Sequence, residues 1–239
     1  MASGTDISLA RPGGPGFRAH LALPSAPPAR PGVVVIHEIF GLTDDIRRIT
    51  QRFASSGYAA LAPDLYDGPS AKPICVAKTL VSMRSGKGAA YDDIETARAH
   101  LAGLPEVDGA RIGIAGFCMG GAFALLTARR GAYRAAAPYY GAVPEEARQL
   151  EGICPVVAGF GGKDRPFAPQ GERLRRHLET LNVAHDVKIY PEAGHSYMSH
   201  HDPTLLIRLG AIGPMKAGYN EAAAEDSWVR MLAFFEKHL

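Results

Sequence analysis

The chain has 239 residues, 46% of them apolar and 21% charged, which is enough apolar material for a substantial core and excludes a disordered polypeptide. Its 26 basic and 24 acidic side chains leave a formal charge of +2, spread without long runs. That pattern excludes the clustered basic footprint of a nucleic-acid binder, and no stretch approaches the ~20 apolar residues that a membrane span requires.

Residues 1–31 are rich in Pro and Gly and read as an N-terminal extension or edge segment, with PSAPPARPG (24–32) as a stiff connector. VVVIHE (33–38) follows as a continuous, β-branched, buried strand. TDDIRRITQRFASSG (43–57) predicts a helix with Ile46, Ile49 and Phe53 on one face, an acidic first turn and Gly57 as a stop. AALAPDL (59–65) is the next strand, and residues 66–88 read as an irregular loop or partial cap near the site. Tyr91, Ile94, Ala97, Leu101 and Leu104 mark an amphipathic helix.

RIGIAGF (111–117) predicts a strand and AFALLTARR (122–130) a buried helix. AAAPYYG (135–141), PVVAGFGG (155–162) and DVKIYPE (186–192) are three further strands. Leu174, Leu178 and Leu181 mark a helix before the last of these, and Trp228, Met231, Leu232, Phe235 and Leu239 the inner face of a C-terminal one. Strands alternating with helices predict a single α/β domain over 1–239, with a mostly parallel central sheet flanked by helices on both faces.

Three cysteines (Cys75, Cys118 and Cys154) without a CxxC pair argue against a disulfide framework or zinc site and for a reducing, cytoplasmic compartment. The opening MASGTDISLARPGGPGFRAH lacks the basic-then-apolar layout of a signal peptide. Cys118 stands apart from the other two. In GFCMGG (116–121) it follows a strand and precedes a buried helix, giving the pattern G-x-nucleophile-x-G. A turn this sharp strains the nucleophile's backbone, and side chains two residues to either side would collide, so glycine is needed there. The helix that starts at Met119 aims its N–H groups at the sulfur, a field that favours thiolate over thiol.

Such a nucleophile needs a base and a group to orient that base, in the chain order nucleophile, acid, histidine. Asp164 in GFGGKDRPF (159–167) and His195 in PEAGHSYM (191–198) each lie just past the carboxyl end of a strand, as Cys118 does. Open α/β sheets bind ligands at that edge. His195 would take the thiol proton and later protonate the leaving group, and Asp164 would hold its tautomer. H-E-I-F-G (37–41) follows the strand VVVI, where such folds place one oxyanion donor; the expected donors are the N–H groups of Ile39 and Met119.

Taken together, H-E-I-F-G, G-F-C-M-G-G, G-G-K-D and G-H-S-Y, in that order and at these intervals, resemble the dienelactone hydrolase (carboxymethylenebutenolidase) family over roughly residues 30–239. The resemblance implies an α/β-hydrolase fold and a Cys118–His195–Asp164 triad. It also implies that Glu38 pairs with the resting thiol and swings away when substrate binds. Ser196 and Tyr197 would line the pocket. The family carries an arginine four residues after the histidine to grip a substrate carboxylate; Ser199 stands there in this chain, leaving Arg84 and Lys87 as cationic candidates from 66–88.

The expected partner is a small ester or lactone, cleaved without a cofactor, by a monomer or homodimer. His200, His201 and Asp202 are adjacent without a spaced third ligand, so no metal site is expected. GIAGFCMGG does not fit a dinucleotide fingerprint. Two other classes share the same residues: a ligand-binding protein on this scaffold without turnover, and an acyl transferase or thioesterase.

Overall fold

The computed structural model describes residues 4–11, 14–25, 29–68, 72–201 and 205–239. The backbone forms two compact units, Met1–Ala115 and Gly116–Leu239. The first carries β1 (Gly4–Leu9), β2 (Phe17–Ala22), β3 (Arg30–Ile36), α1 (Asp44–Ser55), β4 (Ala59–Pro63), α2 (Lys72–Ser85), α3 (Ala89–Ala102) and most of β5 (Val107–Phe117). Its hydrogen-bonded strand order is β1-β2-β4-β3-β5. β1 pairs with β2 and β2 with β4 antiparallel, whereas β3 and β4 are parallel and joined through α1.

Local chemistry explains why α1 forms where it does. The Thr43 hydroxyl accepts the Ile46 N–H, Asp44 and Asp45 occupy the positive end of the helix dipole, and Arg52 the negative end. Ile46, Ile49 and Phe53 are fully buried, against the strands that α1 joins. β3 stops at Ile36 rather than reaching residue 38, because His37 and Glu38 leave the ladder to make a local hydrogen bond of their own.

One expectation for this unit is corrected. Residues 66–88 hold a helix, α2, in place of an irregular loop. Its pattern hides it: Ile74 and Val81 face solvent while Cys75 and Thr79 are buried, so no apolar stripe recurs at helical spacing. Residues 1–31 include two paired strands, and β2 buries Phe17, Ala19 and Ala22.

The second unit carries α4 (Met119–Ala128), β6 (Ala135–Tyr139), β7 (Val156–Gly161), α5 (Ala168–Thr180), β8 (His185–Tyr190), α6 (Leu205–Ile212) and α7 (Glu221–His238). After the end of β5 the strand order continues β6-β7-β8, and these three are parallel. Sequence periodicity leaves α6 unassigned. α5 packs on β7 and β8, and α7 on β6 and β7. Trp228, Met231 and Phe235 of α7 are fully buried, each stabilising by roughly 1.5–3 kcal/mol as an upper estimate. The Asn220 side chain caps α7 by accepting the Ala223 N–H.

Candidate active site

Cys118 leaves β5 directly and is the N-cap residue of α4, with φ 55° and ψ −117°. A non-glycine side chain at such angles costs on the order of 1–3 kcal/mol and persists only where its surroundings hold it. Here they do. The Cys118 N–H donates to the Tyr139 carbonyl at 3.1 Å, and the Cys118 carbonyl accepts from Gly121 (3.0 Å) and Ala122 (3.3 Å). The collision expected two residues before Cys118 is visible: a Cβ on Gly116 would stand 2.0 Å from the Gly120 carbonyl oxygen. The residue is partly exposed. Burial pushes the Cys154 thiol up to about 12, well away from the reactive range.

Asp164 sits three residues past β7, its N–H on the Gly161 carbonyl and its own carbonyl accepting from Phe167 and Ala168. His195 lies past β8 in a loop held by two backbone bonds, its N–H donating to Met215 (2.9 Å) and its carbonyl accepting from Gly218 (3.0 Å). The approach is so close that a Cβ on Gly194 would meet the Lys216 carbonyl oxygen at 1.7 Å. These turns bring His195 Nδ1 to 2.5 Å from Asp164 Oδ2, with the two side chains 3% and 0% exposed. A carboxylate only accepts, so Nδ1 carries the proton. Nε2 is buried without a well-formed hydrogen bond, and the Cys118 sulfur is close enough to raise the proton affinity of the ring.

Burial works against the imidazolium, but the Asp164 carboxylate and the Cys118 sulfur outweigh it, and the His195 pKa is raised from 6.5 to about 10. The ring is confined by Phe167, with centroids 4.8 Å apart, and by Tyr140, at 5.3 Å. Neither residue is among the sequence candidates. Phe167 follows Asp164 by three residues and carries no local signal, whereas Tyr140 at φ 39° is a strained residue at the end of a strand.

In the first unit the loop after β3 is set by neighbours that the motif alone does not name. Leu65 N–H donates to His37 Nε2 at 3.0 Å, which leaves the proton on Nδ1 to bond the Glu38 carbonyl at 2.6 Å. Burial lowers the His37 pKa, and the ring serves as a neutral bracket. The Tyr66 hydroxyl donates to the Ile39 carbonyl at 2.9 Å. Glu38 is buried and the Ile39 side chain exposed.

The structure corrects the pocket-lining expectation for Tyr197. Its side chain is wholly buried, the hydroxyl is 2.8 Å from Ser227 Oγ, and the ring packs on Tyr140 and Tyr190. It is a core residue. Ser196, buried at φ 54°, turns the chain after the histidine, its carbonyl accepting the Ser199 N–H. Ser199 is buried with Oγ 3.1 Å from the Tyr140 hydroxyl. The Arg84 side chain and Asp202 lie outside the described residues. His200 stacks on Tyr219, and among the described residues no group of three or more His, Cys, Asp or Glu could hold a metal ion.

A mostly parallel sheet with helices between its strands, a strained residue between strand and helix and a histidine–carboxylate pair past later strands define an α/β-hydrolase. The dienelactone hydrolase family model matches residues 17–239. A Yersinia pestis relative is 31% identical over 225 residues, covering 87% of this chain and 78% of its own. The carboxymethylenebutenolidase of Rhodococcus opacus is 30% identical over 222 residues, covering 87% of this chain and 81% of its own. The solved structure named m3DLH superposes with a TM-score of 0.79 at 26% identity, over 100% of this chain and 99% of that one. The chain belongs to the dienelactone hydrolase family, and that membership makes it an ester- or lactone-cleaving hydrolase.

Proposed function

We propose that the chain, as one hydrolase domain, cleaves a small ester or lactone through an acyl-enzyme on Cys118, with His195 as acid and base and Asp164 as its orienting partner. The observation that carries this reading is the strained, partly exposed cysteine at a helix N-terminus beside a buried histidine bonded to aspartate. When substrate displaces Glu38, the thiol gives its proton to Nε2 and the sulfur becomes the nucleophile. The sulfur attacks the carbonyl carbon, and the charge that builds on oxygen is met by the Met119 N–H at the start of α4. On the H-E-I-F-G motif, Ile39 is the second donor and Glu38 the partner of the resting thiol. As the carbon–oxygen bond breaks, His195 gives its proton to the departing alkoxide. Water then loses a proton to His195 as it attacks the thioester, which releases the acid and restores the thiol.

Chemistry of this kind uses only side chains and backbone donors. A reduced Cys118 suits a cytoplasmic setting, and no helix of the described residues is long and apolar enough to cross a membrane. The test is hydrolysis of p-nitrophenyl acetate with mass spectrometry of the quenched enzyme. Acetyl is expected on Cys118 and not on Cys154, and Cys118→Ala is expected to lose turnover while keeping its melting temperature. Full activity in that variant would remove the nucleophile from the account. A labelled Cys118 that never releases product would favour a binding protein instead.

A further inference from the structure

Asp164 holds one nitrogen of His195, which leaves the imidazole free to pivot about that single hydrogen bond. What stops the pivot is the pair of rings against it. Tyr140 is the more informative of the two, because its backbone also reaches the nucleophile: the preceding carbonyl, of Tyr139, accepts the Cys118 N–H. One dipeptide at the end of β6 therefore touches both the residue that attacks and the residue that moves the proton.

Three further features hold Tyr140 in place. Its φ of 39° is unfavourable for a tyrosine, and the strain is held by its N–H donating to the Gly159 carbonyl at 2.8 Å. Its ring is wedged against Phe117 and Tyr197 as well as His195. Its hydroxyl meets Ser199 Oγ at 3.1 Å, inside the turn that begins at Ser196, one residue after the base. Both partners of that bond are buried, so water does not compete for it.

We infer that Tyr140, anchored by Ser199, is a positioning residue that holds the His195 ring toward Cys118 and so sets the rate of the chemical step. The inference rests on the Cys118–His195 reading above. It places no role in substrate binding on either residue, so the effect belongs in kcat and not in KM. Misplacing a reacting group by about 1 Å costs up to about a hundredfold in rate; loss of one anchoring bond is expected to cost about tenfold.

The experiment is steady-state hydrolysis of p-nitrophenyl acetate by Tyr140→Phe, Ser199→Ala and the double variant, with Cys118→Ala in parallel. Each single change removes one end of the same bond. Both singles are expected to lower kcat about tenfold with KM within about twofold, and the double variant to be no slower than either. Unchanged kcat in both singles would overturn the inference, as would effects that multiply in the double. So would a loss seen only in variants whose melting temperature has collapsed. If these variants behave like wild type while Cys118→Ala is dead, the positioning role fails and the nucleophile stands; if Cys118→Ala stays active, both fall.

Discussion

His195 and Asp164 form a buried pair 2.5 Å apart whose environment raises the proton affinity of the imidazole. Because the folded-state pKa, about 10, lies above the unfolded value of 6.5, the pair's contribution to stability is complete below about pH 6.5 and is lost as pH rises through about 10. In the proposed mechanism the proton held by His195 is the one delivered to the leaving group. Hydrolysis is therefore expected to fall on the alkaline side near pH 10. In Asp164→Asn the carboxylate no longer offsets burial, so the alkaline limb moves down toward neutral pH, with kcat reduced by ~10²–10⁴-fold. A pH–rate profile of both proteins checks this; an unmoved limb would mean that Asp164 does not set the proton affinity of the base.

The closeness of Gly116 to the backbone of Gly120 makes the elbow intolerant of any side chain. The obstructing atoms are backbone and cannot rotate away. Gly116→Ala is expected to cost on the order of 3 kcal/mol or more, read as a lower denaturant midpoint. A variant with wild-type stability would show that the turn between β5 and α4 can open by more than an ångström.

At the edge strand, Asp6 of β1 accepts hydrogen bonds from Arg47 and meets His20 Nδ1 at 2.6 Å. Arg47 first, and His20 second, hold the Asp6 pKa down to about 2 from 3.8. A depressed carboxylate stabilises above its unfolded value and loses that contribution as pH falls. Asp6→Asn is thus expected to be less stable than wild type above about pH 4, with the gap closing as pH drops toward 2. With Asp6 half exposed, the difference is no more than about 1 kcal/mol. Urea melts across that range measure it, and a gap independent of pH would dissociate the carboxylate from the clasp.

The parts of the site legible in the sequence are those whose physics is local. A nucleophile between strand and helix needs glycine two residues away, and that requirement is written at Gly116 and Gly120. Asp164 and His195 are each found by their distance past a strand end. Tyr140 is invisible by such means, because what makes it distinctive is a hydroxyl meeting Ser199 59 residues later. Tyr197 misleads for the same reason: whether its ring turns outward or into the core is decided by Ser227, 30 residues on. α2 was hidden by burying a cysteine and a threonine while turning Ile74 and Val81 outward, whereas the alternation of Phe17, Arg18 and Ala19 carries a strand signal that the surrounding prolines and glycines mask.

The dihedral angles of Cys118 have an evolutionary corollary. A residue with no side chain would occupy that corner of the backbone without conflict, so the protein is less durable than its own scaffold allows. Cys118→Gly should melt at a higher temperature than wild type while catalysing nothing. On the proposed mechanism, reactivity rather than robustness accounts for a sulfur at this position.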